Sequence, residues 1–299
     1  MKKLSKRIVI IPTFASSHFL KCWIPNIQEI LEPDYILIRE SLFPDGPENK
    51  GHIDDEFKKK WCYPNTNAGF DWEETRSICS QYGNVVLDWF TPKTSDSNKC
   101  FIEAISLNLD KYADVGDCIF VLEPDVFIHQ NDKQKINDIL EELEIGSGHR
   151  IKWIDFLGTQ FYTESVNIQS PKVRRFVYRF DNIKNFLNAH DGYMSQNYPK
   201  LKQIDDFFLF HYPWFVYDGW KELRYELIWR KDEKYWKDFE IGLQEIAMES
   251  IQYCFDHLLV KSPKNKILIR PSRQDEGRWA SFIDVPHPRH IMNHPNFVK

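Results

Sequence analysis

Two carboxylates separated by one proline follow a short apolar run near the middle of the chain. The run Cys118-Ile119-Phe120-Val121-Leu122 leads into Glu123-Pro124-Asp125. Because residues two apart on an extended chain point the same way, Glu123 and Asp125 are predicted to project together. Such a cluster of anionic oxygens suits Mg²⁺ or Mn²⁺ that carries a phosphate-bearing substrate. The alternative is a strand-to-loop turn with two solvated acids.

A histidine inside an aromatic run is the next candidate ligand. His211 lies in the segment Phe207-Phe208-Leu209-Phe210-His211-Tyr212-Pro213-Trp214-Phe215. An imidazole among aromatic rings is costly unless it is hydrogen-bonded or coordinated, and imidazole suits Mn²⁺ better than Mg²⁺. Spacing alone favours a satisfied core histidine, since the sequence does not place His211 near Asp125.

Strands and helices alternate along the first half of the chain. Apolar runs predict strands at residues 8–11, 35–38, 84–87 and 118–123, and apolar periodicity predicts helices around residues 20–31, 72–82, 101–109 and 136–143. Residues 151–156 and 174–180 alternate as half-exposed strands do, and residues 267–269 suggest another strand. The strand–helix–strand order builds sheets that are covered by helices. We therefore predict an α/β fold with a mixed, mainly parallel sheet flanked by helices.

Together, the alternating first half, the acidic corner and the later histidine resemble a GT-A type glycosyltransferase, broadly like the family 2 group. The resemblance covers residues 8 to about 229 and implies a GT-A-like, Rossmann-related sheet. It also implies that Glu123, Asp125 and His211 bind Mn²⁺ or Mg²⁺ on the diphosphate of a sugar nucleotide. The corner reads Glu-Pro-Asp where the family has Asp-x-Asp, so Asp125 is the safer ligand. The activity implied is metal-dependent transfer of a sugar, as by a hexosyltransferase, from a nucleoside-diphosphate sugar donor to a glycan or other hydroxyl acceptor.

Sugar transfer would also need a base and groups that hold the nucleotide. Asp205 and Asp206 are the paired acids closest to His211 and the candidates for the catalytic base; capping of a turn before a buried strand is the alternative. The candidates for nucleotide or diphosphate binding are Arg39, Lys50, Arg76, Trp214 and the pair Arg174 and Arg175. Most surface cations simply solvate a face, and most of the aromatic rings are expected in the core.

Composition limits the class of protein and its partners. The formal net charge of -5 gives no overall attraction to nucleic acid or anionic lipid. The six cysteines include no C-x-x-C pair and read as reduced thiols. The first apolar run spans only residues 8–11, too short for a signal peptide or a membrane span, so no transmembrane segment and a cytoplasmic location are expected.

We expect a catalytic domain over residues 1–230 and a helical C-terminal extension over residues 231–299, with a long helix near residues 243–258 and a histidine-containing tail that packs over the domain. Two other functions fit the same residues. One is a metal-dependent nuclease or phosphohydrolase that uses the same acids. The other is a non-catalytic carbohydrate-binding protein whose aromatic residues contact sugar.

Overall fold

The computed structural model describes residues 5–13, 16–41, 72–90, 97–157, 159–164, 172–191, 198–212, 267–270, 278–283, 285–294 and 297. Within these ranges the strands are β1 Arg7–Thr13, β2 Tyr35–Ser41, β3 Val85–Phe90, β4 Cys118–Val121, β5 Val126–Phe127, β6 Gly148–Leu157, β7 Thr159–Glu164, β8 Lys172–Arg179, β9 Leu201–His211, β10 Ile267–Arg270 and β11 Arg278–Phe282. The α-helices are α1 Ser17–Leu31, α2 Trp72–Cys79, α3 Ser97–Ser106, α4 Lys133–Glu142 and α5 Ile183–His190. Three short 3₁₀ turns complete the list at Leu109–Lys111, Gln130–Asp132 and Ile291–Asn293.

The described strands form one mixed sheet. Its main path runs β10-β11-β7-β6-β8-β4-β1-β2-β3, and β9 pairs with both β5 and β6. The block β3-β2-β1-β4 is parallel, whereas β8 lies antiparallel between β4 and β6. The predicted α/β fold with a mixed sheet flanked by helices is therefore confirmed.

Strand β1 explains why its sequence is a continuous apolar run. Its residues 8–11 are completely buried. Val9 and Ile11 belong to the core layer that includes Trp23 of α1, whereas Ile8 and Ile10 belong to the layer on the other face of the sheet. A central parallel strand that is covered on both faces has no polar side to alternate with its apolar side.

The C-terminal strands extend the sheet. β11 pairs antiparallel with both β10 and β7. The strand predicted at residues 267–269 is therefore present, whereas the helix predicted near residues 243–258 lies outside the described residues. The division into a domain over residues 1–230 and a helical extension over residues 231–299 stays a prediction.

A buried asparagine joins α1 to the segment that follows β5. Asn26 is fully buried, and its amide nitrogen donates to the carbonyl of Ile128 at 2.8 Å. The backbone N–H of Ile128 in turn donates to the amide oxygen of Asn26 at 3.0 Å. Because Ile128 directly follows β5, these two hydrogen bonds fix the position of the chain just beyond the acidic corner.

Replacing this asparagine tests how much the two hydrogen bonds contribute to stability. We expect Asn26→Ala to lower the free energy of unfolding by about 2–4 kcal/mol, because a buried N–H and a buried carbonyl would each lose their partner. Urea unfolding followed by circular dichroism measures the change. Asn131→Ala, at an exposed position nearby, is the matched control and should stay within about 0.5 kcal/mol of wild type. Equal effects of both variants would contradict the interpretation.

The C-terminal tail is tied to α1 by an ion-pair cluster. Arg289 donates through Nε to Glu29 Oε2 at 2.9 Å, with a second bond from its terminal nitrogen to Oε1. His290 Nε2 lies 2.6 Å from the same carboxylate. The hydrogen bond from Arg289 holds the pKa of Glu29 below its ordinary value of 4.5. The charged form of Glu29 is therefore favoured in the folded chain.

This cluster predicts a small stability term that depends on pH. A carboxyl whose pKa is lower when folded stabilises above its unfolded pKa, and this contribution is lost as pH falls through the folded pKa. We expect Glu29→Gln to lower the Tm by about 2 °C at pH 7, because the pair is partly exposed. The difference from wild type should shrink as the pH falls below 4.5. Thermal scans from pH 7 to pH 3 check this, and a constant difference would argue against the ion pair as its cause.

Candidate metal centre

The acidic corner is a tight turn at the carboxyl end of β4. The strand ends at Val121, two residues earlier than the predicted end at Glu123. The backbone N–H of Val126 donates to the carbonyl of Glu123 at 3.1 Å, which closes the turn around Pro124 and Asp125. The two carboxylates therefore approach each other across a turn, and not along an extended strand as the sequence suggested.

Strand β9 brings His211 to this turn. In the register of the sheet, His211 lies opposite Val126 of β5 on one side and opposite Asp155 of β6 on the other. The next residue, Tyr212, donates its backbone N–H to the carbonyl of Asp125 at 2.9 Å. Backbone pairing therefore determines the separation between the imidazole and the acidic corner.

Three potential ligands converge here. His211 Nε2 lies 3.4 Å from Asp125 Oδ1 and 3.9 Å from Glu123 Oε2. One donor atom from each residue lies within 4.8 Å of those of the other two. Asp125 is 1% exposed and His211 7%, whereas the Glu123 side chain is 38% exposed. The predicted trio is therefore adjacent, with two members buried and one facing the solvent.

A second buried acid orients the imidazole. Asp155 Oδ1 lies 2.5 Å from His211 Nδ1, and Asp155 is 2% exposed. An ionised carboxylate only accepts hydrogen bonds, so Nδ1 carries a proton, and in the neutral imidazole Nε2 presents its lone pair to Glu123 and Asp125. Carboxylates hold the second nitrogen of metal-binding histidines in this way.

Asp155 was not among the residues predicted from the sequence. The alternation of residues 151–156 was interpreted only as a half-exposed strand. Asp155 shares the buried face of β6 with Ile151 and Trp153. The sequence signal that could have identified Asp155 is an acidic residue at a position of an alternating strand that faces the core.

An aromatic ring stacks on the imidazole, and a guanidinium lies over that aromatic ring. The ring of Trp153 is parallel to that of His211, with ring centroids 4.2 Å apart and an angle of 15° between the planes. The guanidinium carbon of Arg174 lies 4.4 Å from the centroid of the Trp153 ring. Trp153 therefore restricts rotation of the His211 ring and also contacts the Arg174 cation.

The donor set fits a divalent cation. In the neutral form of His211 with its proton on Nδ1, Nε2 and the facing Asp125 Oδ1 both present lone pairs, so a cation between them would be bound by both. Ligand atoms that share one cation at bonds of about 2.1 Å are roughly 3.0–3.5 Å apart, close to the 3.4 Å observed. Two carboxylates and one imidazole suit Mn²⁺ or Mg²⁺, and the exposed side of Glu123 leaves room for a ligand.

The acids predicted as catalytic base lie elsewhere on β9. Asp205 and Asp206 precede His211 by six and five positions, in the part of β9 where its pairing register with β6 shifts, and both are exposed. Asp205 forms an ion pair with Lys152 at 2.6 Å. They do not cap a turn, since they lie within the strand. The structure does not bring either acid to the three ligands, and the catalytic role remains a prediction.

Two predicted cationic residues also lie away from the ligands. Arg39 is 1% exposed, and its guanidinium bonds Asp88 and donates to the carbonyl of Leu107 at 2.8 Å. Burial lowers the pKa of Arg39, and the Asp88 charge opposes that shift. Arg76 is exposed on α2 and pairs with Glu73 one turn earlier. Arg39 thus joins β2 to β3 and to the chain after α3, whereas Arg76 pairs within α2. Lys50 and Trp214 lie outside the described residues.

The C-terminal tail covers the base of the site. Tyr212, which is completely buried, shares a 2.8 Å hydrogen bond between its hydroxyl and His287 Nδ1. Ile291 belongs to the core layer around α1. Across the residues that the structure describes, Glu123, Asp125 and His211 are the group that meets the geometry for a metal ion.

The sequence matches no protein-family profile and no curated protein. The chain is similar to a solved 4-diphosphocytidyl-2C-methyl-D-erythritol synthase at 10% identity and a TM-score of 0.39, over 68% of this chain and 90% of that one. It is also similar to the galactosyltransferase LgtC, crystallised with donor and acceptor sugar analogs, at 10% identity and a TM-score of 0.37, over 77% and 99%. A mannose-1-phosphate geranyltransferase from Thermus thermophilus matches at 9% identity and a TM-score of 0.32, over 70% and 74%. These likenesses are too distant to indicate an activity.

In the described part of the chain, no helix combines the length and the apolar character that a bilayer crossing needs.

Proposed function

We propose that the chain is a metal-dependent glycosyltransferase that moves a sugar from a nucleoside-diphosphate sugar to a hydroxyl acceptor such as a glycan. The observation that carries the proposal is the convergence of Glu123, Asp125 and His211 at the carboxyl end of β4. Ligands of α/β sheets bind at the carboxyl ends of the strands. A cation centre in that place is suited to a substrate that carries phosphate.

The chemistry requires that charge on the diphosphate be neutralised as it leaves. In the transfer, the acceptor oxygen bonds to the anomeric carbon, while the bond from that carbon to the diphosphate oxygen breaks and its electron pair stays with the diphosphate. The proton of the acceptor hydroxyl passes to a base. A bound divalent cation would supply the electrostatic stabilisation of the leaving group.

The residues of the chain have separate roles in this proposal. Asp125 and His211 would hold Mn²⁺ or Mg²⁺ from the buried side, and Glu123 would hold it from the exposed side. Asp155 keeps the Nε2 lone pair of His211 directed at the centre through the 2.5 Å contact with Nδ1. Trp153 limits the orientation of the imidazole ring by stacking. The geometry is thus prepared before a substrate arrives.

A thermal-shift screen of nucleotide sugars tests the proposal. UDP- and GDP-sugars are added with Mn²⁺, with Mg²⁺ or with EDTA, and binding is followed as a rise in Tm. A ligand at 100 times its Kd should add about 2.7 kcal/mol of stability, and this gain should be absent in EDTA. Ligands that shift the Tm are then tested for sugar transfer to a panel of glycans.

The outcomes separate the proposal from the other functions. Failure of every nucleotide sugar to bind or react with metal present would overturn it. Release of nucleotides from DNA would favour the nuclease alternative. Glycan binding that is indifferent to EDTA would favour the carbohydrate-binding alternative.

A further inference from the structure

A cleft opens directly beside the metal centre. It has a volume of about 240 Å³ and is lined by Glu123 of the acidic corner and by residues of β6, β8 and α5. Its apolar wall includes Phe101, Trp153 and Leu209. Aromatic and aliphatic groups of this kind pack against the apolar face of a sugar ring. Because Glu123 belongs to both the centre and the cleft, the two are contiguous.

Two consecutive arginines line this cleft. Successive residues of a strand normally point to opposite faces, yet Arg174 and Arg175 of β8 both reach it. Arg175 pairs with Arg150 and Arg174 pairs with Ile151, and the register between β6 and β8 shifts just beyond them, where Phe176 is left over. Both arginines therefore line the cleft from successive paired positions of β8.

Among the described residues that line the cleft, the formally charged ones are Arg174, Arg175 and Glu123. Arg175 lies opposite Arg150 in the sheet and follows Arg174, and like charges so placed repel each other. Burial lowers the pKa of Arg175, as do the charges of Arg174 and Arg150, whereas Asp191 and Glu123 oppose the shift. An anionic ligand in the cleft would be attracted by the guanidinium groups of Arg174 and Arg175.

A buried histidine lines the same cleft. His190 is 1% exposed, and its Nδ1 lies 2.8 Å from the carbonyl of Phe186, to which it donates. Among the residues that the structure describes, no group hydrogen-bonds its Nε2. Burial lowers the pKa of His190 to about 3, so the ring is neutral at pH 7. Its Nε2 is therefore an acceptor that suits a hydroxyl group of a ligand.

From this combination, we propose that the cleft binds the sugar of the donor and that this sugar carries a negatively charged group, which pairs with Arg174 and Arg175 while a sugar hydroxyl donates to His190 Nε2. The inference rests on the proposed function and narrows its donor to acidic sugars such as uronic acids. A guanidinium matches a carboxylate with two parallel hydrogen bonds, which gives the selectivity.

Matched pairs of donors test this inference. Binding of UDP-glucose and UDP-glucuronate, and of GDP-mannose and GDP-mannuronate, is measured by calorimetry with Mn²⁺ present, with UDP and GDP as ligands that lack a sugar. We expect an acidic donor to bind at least about tenfold more tightly than its neutral counterpart, because hydrogen bonds to charged groups contribute the most.

Substitutions identify the groups responsible. Arg174→Gln, at an exposed position, should reduce the preference for the acidic donor by about tenfold or more and leave the Kd of UDP and GDP unchanged. Arg175→Gln should do the same if that variant folds. Lys184→Gln, an exposed change on α5 with the same loss of charge, is the control for long-range electrostatics and should preserve the preference.

Each result supports or overturns the inference. Equal binding of neutral and acidic donors would overturn the inference and leave the proposed function in place. An equal loss of UDP, neutral and acidic donors in Arg174→Gln would assign the arginine to the diphosphate and also overturn it. Absence of metal-dependent binding by every nucleotide sugar would overturn both proposals.

Discussion

Asp125→Asn should abolish metal-dependent binding of nucleotide sugars while leaving the folded chain intact. Asp125 is the most deeply buried of the three ligands, and its Oδ1 faces His211 Nε2 at 3.4 Å. Loss of residues that only support a ligand typically costs 10–100-fold in metal affinity, so loss of a charged ligand should cost more than about 100-fold. Calorimetric titration with Mn²⁺ measures the effect directly.

The same substitution should lower metal affinity without lowering the stability of the metal-free protein. Without a cation, the carboxylates of Glu123 and Asp125 repel each other across the turn, and the amide of the variant removes one of these charges. We therefore expect the Tm of Asp125→Asn in EDTA to equal or exceed that of wild type, as at sites where function has a cost in stability. Asp138→Asn, an isosteric change at an exposed position of α4, should alter neither metal affinity nor Tm appreciably. Retained Mn²⁺ affinity in Asp125→Asn would remove this residue from the centre.

Substitution of Asp155 should give a graded loss of metal affinity. Asp155→Asn keeps an oxygen that accepts the Nδ1 proton of His211 but loses the negative charge, so we expect about a 10-fold loss. Asp155→Ala removes the acceptor as well, and about a 100-fold loss is expected. Mn²⁺ titrations of both variants provide the measurement.

Stability measurements separate this positioning role from a merely structural one. Asp155→Ala leaves the buried N–H of His211 without its acceptor and should also destabilise the fold by about 1–3 kcal/mol. Asp155→Asn should unfold at nearly the wild-type denaturant concentration while its metal affinity is already reduced. If affinity and stability fell in proportion across both variants, Asp155 would be supporting the fold alone.

The sheet was predictable where local sequence decides the structure. Strand β1 and helix α1 follow from the apolar run at residues 8–11 and from the periodic apolar residues of residues 20–31. The pattern was sufficient because a strand buried on both faces is apolar throughout, and a helix buried on one face has apolar residues at every third or fourth position. The predicted ends of the elements were less accurate. Strand β4 ends before Glu123, because the chain turns at Pro124 and does not continue as a strand.

The ligand trio could be named from the sequence, but its geometry could not. Residue types indicated Glu123, Asp125 and His211, whereas their adjacency depends on the register of β9 between β5 and β6. Non-local pairing of this kind leaves no local pattern. The same limit applies to the cleft: Arg174 and Arg175 were visible as a basic pair, but the sequence did not show that both line one cleft with Glu123.

Because β9 pairs with both β5 and β6, the metal site forms late in the folding of the newly made chain. Asp125 emerges from the ribosome well before His211, and the imidazole reaches it only after β9 has docked on both neighbours. A nascent or partly collapsed chain therefore lacks a preformed chelate, and metal capture should favour the completed sheet. A bound divalent cation would then slow the detachment of β9 from the sheet. Removal of the cation should make this strand more susceptible to proteases.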